Sequence, residues 1–194
     1  MLALKSFGHS LKGAVRSLTL LAALIQSDGA RAMDREAFIK AGLCEFMMRL
    51  WTIHQHPAAQ DRFLVASVKG RAQSYVQCML LAGDSQILCE AASGISGPQG
   101  ALQLQPDQVR RLMQEGFEQG GAGGNFQRMS VAGDDLETEL VSTSVLLLEL
   151  LYDLYGARHP LDLEFKAPLA AELGPRPLAC LIIGAAQRAN AAAG

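Results

Sequence analysis

The chain has 194 residues, of which 49% are hydrophobic and 19% are charged, and its formal net charge is −2. This length suits one ordinary domain, and the composition excludes a chain that is disordered throughout. The nearly balanced charge, with Arg110-Arg111 as the only adjacent basic pair, excludes the basic surface that nucleic-acid binding requires. Because no apolar run reaches the roughly 18 residues of a membrane span, we also expect no such span.

Residues 1–32 admit three interpretations, which the sequence leaves open. Basic residues precede the apolar run 18–25, and Ala30-Arg31-Ala32 has the small-x-small form of a signal-peptide cleavage site. The segment is otherwise an ordinary helix, or it lies upstream of a true start at Met33. We expect a cytoplasmic protein, and a periplasmic or secreted one if residues 1–32 are a signal peptide. If residues 1–32 form a helix, its apolar face consists of Leu11, Val15, Leu18, Ala22 and Ile25.

The next segment predicts a helix followed by a strand. Asp34 is placed to cap a helix that runs to about His54, with apolar residues at helical spacing, and Pro57 marks its end. Residues 62–68 have the composition of a strand, and residues 69–71 predict a turn into a second strand.

A β-hairpin is predicted between Gln73 and Ser93. Two apolar-rich runs are joined there by Gly83-Asp84, a signal for a tight two-residue turn. Such a turn makes Cys78 and Cys89 a hydrogen-bonded pair with Cα atoms about 5.5 Å apart. A disulfide between them is the alternative, but we interpret both cysteines as reduced, buried, small apolar residues. The cross-strand pairs are Gln77 with Glu90, Cys78 with Cys89, and Met79 with Leu88.

Two further helices and one strand follow. Pro106 predicts the start of a helix that ends near Gly116, and residues 125–131 predict a fourth strand, whereas a fifth is not clear. Asp134-Asp135 begin the longest helix, which runs to about Tyr155.

Together these elements predict an α+β fold in the order α-β-β-β-α-β(-β)-α. An antiparallel sheet of about four to five strands would have helices packed on one face, within a domain of residues 33–162. Residues 163–194 predict a tail that three prolines interrupt, with a short helix over residues 178–189.

The motifs that resemble reactive sites favour simpler interpretations. The glycine run 120–124 is followed by a predicted strand, so no helix N-terminus is available to hold a phosphate. His54 and His56 lack a predictable third metal ligand, and no G-x-S-x-G nucleophile motif is present. We therefore expect a protein that is not an enzyme, with no catalytic residues, no metal and no cofactor.

Several motifs resemble those of the YbjN-type proteins, which are related in fold to the type III secretion chaperones. The resemblance covers about residues 34–162. It implies a small α+β domain, often dimeric, that binds peptide segments or acts in regulation, without catalytic residues. The matching motifs are YVQ at 75–77, CEA at 89–91, LxxxQVRRLMQEGF at 104–117, NFQR at 125–128 and LYDLYG at 151–156.

The expected function is a protein- or peptide-binding module that offers an apolar sheet face and a helix groove to a polypeptide partner, and forms a homodimer. A simpler interpretation of Gln77 and Glu90 is an exposed cross-strand hydrogen bond. The alternative function is a small periplasmic ligand-binding or enzymatic domain with a cleaved signal peptide. The predicted partner-binding residues on the sheet face away from the helices are Tyr75, Gln77, Met79, Leu81, Leu88 and Glu90.

Overall fold

The structure of the protein is a computed structural model. It describes residues 32–81, 86–95, 103–121, 124–131, 135–173 and 180. The chain divides into two units, residues 1–32 and 33–194, and the fold below is that of the second unit. The expectations for the N-terminal extension, for the turn at Gly83-Asp84 and for most of the helix at 178–189 lie outside the described residues. Within the described ranges, no helix is long and apolar enough to cross a membrane.

Three helices begin where the sequence predicts them. Asp34 caps the first helix by accepting a hydrogen bond from the backbone N–H of Ala37 at 2.9 Å. Asp135 caps the longest helix in the same way, through the N–H of Thr138 at 3.1 Å. Each cap satisfies an amide that has no partner within its own helix. The helices are α1 (Arg35–His54), α2 (Pro106–Gln114) and α3 (Leu136–Asp153).

The strands form one antiparallel sheet in the order β4-β5-β3-β2-β1-β6. The α+β prediction is confirmed, although the described part of the chain contributes six strands to the sheet instead of four to five. The strands are β1 (Phe63–Val68), β2 (Tyr75–Leu80), β3 (Gln86–Ala91), β4 (Glu118–Gln119), β5 (Phe126–Val131) and β6 (Leu163–Lys166).

The two additional strands lie at the edges of the sheet. β4 has only two residues and pairs with β5 across the glycine run. β6 comes from the segment that the sequence assigned to the tail, and it pairs with β1 through Val65–Lys166 and three neighbouring pairs. The sheet therefore continues past residue 162.

The hairpin has the predicted register but a different hydrogen-bonding phase. The pairs Gln77–Glu90, Cys78–Cys89 and Met79–Leu88 are all present, so the predicted register is confirmed. The N–H of Leu81, however, donates to the carbonyl of Gln86 at 3.0 Å, which makes Leu81–Gln86 a hydrogen-bonded pair. Alternation along the strands then makes Cys78–Cys89 a non-hydrogen-bonded pair, with Cα atoms 4.1 Å apart.

The prediction that Cys78 and Cys89 are reduced is wrong. A disulfide bond joins them across β2 and β3. The reason is the shifted phase, because the side chains of a non-hydrogen-bonded pair lie closer together than those of a hydrogen-bonded pair. Both cysteines are buried on the helix side of the sheet, so they also pack in the core as expected.

One face of the sheet forms the core with the helices. Alternate residues of the central strands are buried, and α1 and α3 pack on this face. Gly42 allows α1 to approach α3, because a Cβ atom there would lie 2.7 Å from Leu148 Cδ2. The buried strand residues include Leu64, Ala66, Val68, Val76, Cys78, Leu80, Ile87, Cys89 and Ala91.

Tyr155 anchors the core where α3 ends. Its side chain is 1% exposed, and its hydroxyl donates to the carbonyl of Ala92 at 2.8 Å. Burial, the largest cause, raises the pKa of this tyrosine well above its ordinary value, since the phenolate would lose its hydration.

We expect Tyr155→Phe to lower the free energy of unfolding by about 1–2 kcal/mol at neutral pH, because the bond to Ala92 is lost. Above about pH 10 the unfolded tyrosine ionises while the folded one stays protonated, so the wild type loses stability that the variant cannot lose. The difference in the free energy of unfolding between the wild type and Tyr155→Phe should therefore narrow as the pH rises from about 9 to 11. Urea unfolding of both proteins at several pH values measures this difference. Parallel pH profiles would contradict this effect.

Candidate functional site on the open face of the sheet

The second face of the sheet lies opposite α1 and α3, and we call it the outer face. The six predicted partner-binding residues all belong to it, because side chains alternate between the faces along each strand. Tyr75, Gln77 and Met79 lie on β2. Glu90 of β3 pairs with Gln77 and Leu88 pairs with Met79, whereas Tyr75 packs partly against the hydrophobic core. Leu81 follows the end of β2, with the same parity as Met79. The structure thus brings together the residues that the sequence singled out.

An apolar row crosses four adjacent strands of the outer face. Phe63 pairs with Met79, Met79 with Leu88, and Leu88 with Met129. Met79 is 43% exposed and Met129 is 50% exposed, and Val131 further along β5 is also exposed. Single exposed apolar side chains are common on protein surfaces, but a contiguous apolar row is typical of an interaction site.

A polar row lies next to the apolar row and crosses all six strands. Glu90 is at its centre and accepts hydrogen bonds from the amide groups of Gln77 and Gln127, one to each carboxylate oxygen. The amide of Asn125 donates to the hydroxyl of Tyr75 at 2.9 Å beside this row. The polar row consists of Lys166, Gln77, Glu90, Gln127 and Glu118, and the apolar Val65 of β1 lies between Lys166 and Gln77.

Two shallow depressions lie along these rows. One, of ≈ 320 Å³, is bounded by Phe63, Met79, Leu88 and Glu90 among others. The other, of ≈ 350 Å³, extends over β4 and β5 and includes Leu88 and Met129. Leu88 borders both, so it lies at the centre of the candidate site.

The sequence did not single out two members of the apolar row, Phe63 and Met129, or three members of the polar row, Lys166, Gln127 and Glu118. For Gln127 and Met129 no alternation marked the exposed face, because the polar residues Gln127 and Arg128 are adjacent within residues 125–131. Their place beside Leu88 and Glu90 depends on the pairing of β3 with β5, which spans a long stretch of chain and gives no local signal.

Two other motifs resembled reactive sites. The histidine motif lies at the end of α1, and the glycine run connects β4 to β5. His56 follows α1, and its Nδ1 lies 2.8 Å from the carbonyl of Thr52. Gly120 starts the connection from β4 to β5, and its N–H donates to the carbonyl of Asn125 at 2.9 Å. Among the described residues, no group of three or more His, Cys, Asp or Glu side chains could hold a metal ion.

We expect Glu90→Ala to change the free energy of unfolding by less than about 1 kcal/mol, because both amides can hydrogen-bond to water once the partly exposed carboxylate is removed. Urea unfolding of the wild type and the variant measures this difference. Glu90→Gln is the matched control, since it keeps the shape and removes only the charge. A loss of several kcal/mol would show that Glu90 supports the fold instead of forming part of a binding surface.

We compared the chain with protein-family models, with curated proteins and with solved structures, and no match was found. The resemblance to the YbjN-type proteins therefore stays a prediction from the sequence motifs.

Proposed function

We propose that the protein is a non-enzymatic binding module that holds an apolar or amphipathic polypeptide segment on its outer face. The observation that carries this proposal is the continuous apolar row Phe63–Met79–Leu88–Met129. Transfer of its exposed side chains from water to a partner surface is the driving force, at roughly 25 cal/mol per Å² of apolar area.

The chemistry of the two rows suits a segment of variable sequence. Met79 and Met129 have flexible thioether side chains, which adapt to partners of different shape. Beside them, the amides of Gln77 and Gln127 and the carboxylate of Glu90 can hydrogen-bond to backbone or side-chain groups of the segment. Four strands about 4.8 Å apart give the apolar row a length of roughly 14 Å, which matches two to three turns of an amphipathic helix.

A homodimer is part of the same proposal. Two copies that face each other through their outer faces would bury both apolar rows in an interface with twofold symmetry. A polypeptide partner and the second copy would then compete for one surface. Sedimentation velocity at increasing protein concentration tests this, and the dimer should dissociate when a saturating peptide is added.

The Cys78–Cys89 disulfide favours an oxidising compartment for this function. We therefore propose a periplasmic or extracellular location, which is the alternative to the cytoplasmic location expected from the sequence. The same observation favours the alternative function, a small periplasmic ligand-binding or enzymatic domain. The ≈ 320 Å³ depression is within the size range of small-molecule sites, although it is open.

A titration with a permanently unfolded polypeptide tests the proposal. The probe is a fluorescently labelled protein that has been reduced and alkylated, and binding is measured by fluorescence anisotropy. We expect saturable binding that an excess of unlabelled probe reverses. The absence of binding over the whole concentration range, together with a thermal shift produced by a small metabolite, would favour the alternative function instead.

A further inference from the structure

Two thiols meet on the helix side of the molecule, away from the outer face. Cys44 lies on α1 and is partly exposed, and Cys180 is 4% exposed. The thiol of Cys44 donates to the carbonyl of Cys180 at 3.7 Å, and the thiol of Cys180 donates to the carbonyl of Cys44 at 3.5 Å. The two residues, 136 positions apart in the chain, are therefore in reciprocal contact.

This reciprocal contact supplies the orientation that a disulfide requires. Two cysteines can be joined when their Cα atoms are within roughly 7 Å and their side chains point toward each other. Because each thiol reaches the backbone of the other residue, each side chain points toward the other cysteine. Rotation about the χ1 angles then brings one sulfur toward the other.

We propose that Cys44 and Cys180 form a redox-active thiol pair, which a small disulfide of the glutathione class converts into a second intramolecular disulfide. The thiolate of Cys44, the more exposed residue, attacks the reagent and forms a mixed disulfide, releasing one glutathione thiolate. The thiolate of Cys180 then attacks the Cys44 sulfur and releases the second glutathione. The protein gives up two electrons and two protons, and the reagent is reduced to two thiols.

The consequence is a covalent tie between α1 and the segment that carries Cys180. Because α1 packs on the core face of the sheet, the tie forms on the side opposite the apolar row. The pair is thus independent of the proposed function, and the two proposals can fail separately.

Mass spectrometry of the wild-type chain tests the pair. The protein is incubated with excess oxidised glutathione at neutral pH, and its intact mass and its peptides are analysed without reduction. We expect the loss of two hydrogens from the intact mass and a peptide that links Cys44 to Cys180, beside the Cys78–Cys89 peptide. A stable glutathione adduct on Cys44, a linkage of Cys44 to Cys78 or Cys89, a dimer linked through Cys44, or no reaction would each overturn the proposal.

Two controls connect the result to the structure. In Cys180→Ser the reaction should stop at the mixed disulfide on Cys44, because the second thiol is missing. In concentrated urea the preference for the Cys44–Cys180 linkage should be lost, since the chain no longer holds the two residues together. An equal yield of this linkage in urea and in buffer would also overturn the proposal, because native contact would then play no part.

Discussion

Leu88→Asp is expected to weaken the binding of an unfolded polypeptide by about 10- to 100-fold. Leu88 lies in the middle of the apolar row, between Met79 and Met129, and it borders both depressions. Residues at the centre of an interface contribute most to affinity, typically about 2 kcal/mol or more. A carboxylate at this position would lose its hydration beneath the bound segment without gaining a partner.

Met113→Asp is the matched control for this experiment. Met113 is 54% exposed, slightly more than Met79 and Met129 of the apolar row, but it lies on α2. Anisotropy titrations of the wild type and both variants, with thermal melts to show that each is folded, measure the effect. We expect the control to bind like the wild type. Equal losses in both variants, or full affinity in Leu88→Asp, would contradict the assignment of the site.

Replacement of both Cys78 and Cys89 by alanine is expected to have the largest effect on stability among the changes considered. The disulfide closes a loop with a sequence separation of 11 between the two central strands. A closed loop of this size restricts the unfolded chain by about 3 kcal/mol in the chain-entropy model. For a domain of this length, that loss corresponds to a Tm lower by roughly 6–12 °C.

Measurements of Tm with and without a reducing agent distinguish the Cys78–Cys89 disulfide from the Cys44–Cys180 pair. A Cys44→Ala/Cys180→Ala variant retains only Cys78 and Cys89, so a reducing agent can act on one bond alone. We expect the reducing agent to lower its Tm by about as much as the double alanine replacement does, and to leave the Tm of the protein without cysteines unchanged. A Tm of the Cys44→Ala/Cys180→Ala variant that does not respond to reduction would contradict a structural role for the disulfide.

The elements with strong local signals were predictable from the sequence. Asp34 and Asp135 act as helix caps, and the hairpin register follows from the spacing of two short apolar runs. Those signals lie within a few residues of the structure that they specify. From these signals the sequence predicts the α+β class and the strands β1, β2 and β3.

The edge strands were not predictable, because their signals are weak or distant. β4 has two residues, too few to show an alternating pattern. β6 has four residues between Pro160 and Pro168, and only its pairing with β1 makes it a strand. Prolines that would disrupt a central strand are tolerated beside an edge strand, so their presence was misleading.

The disulfide was missed for a different reason. The predicted cross-strand partners of Cys78 and Cys89 were right, but the predicted hydrogen-bonding phase was wrong, because Leu81–Gln86 is a hydrogen-bonded pair. The site was predictable in part: β2 and β3 are neighbours in sequence, so Met79 and Leu88 were found together. Phe63 and Met129 join them only through the order of strands in the folded sheet.

Site-specific photocrosslinking tests most directly whether the outer face holds another polypeptide. A photoreactive phenylalanine derivative is placed at Met79 or, as the control, at Met113, and the full chain is irradiated with the unfolded probe. We expect crosslinks to the probe from position 79 and few from position 113. If position 79 instead crosslinks to residues of its own chain, whether the probe is present or absent, the apolar row is already covered and the proposed binding surface does not exist.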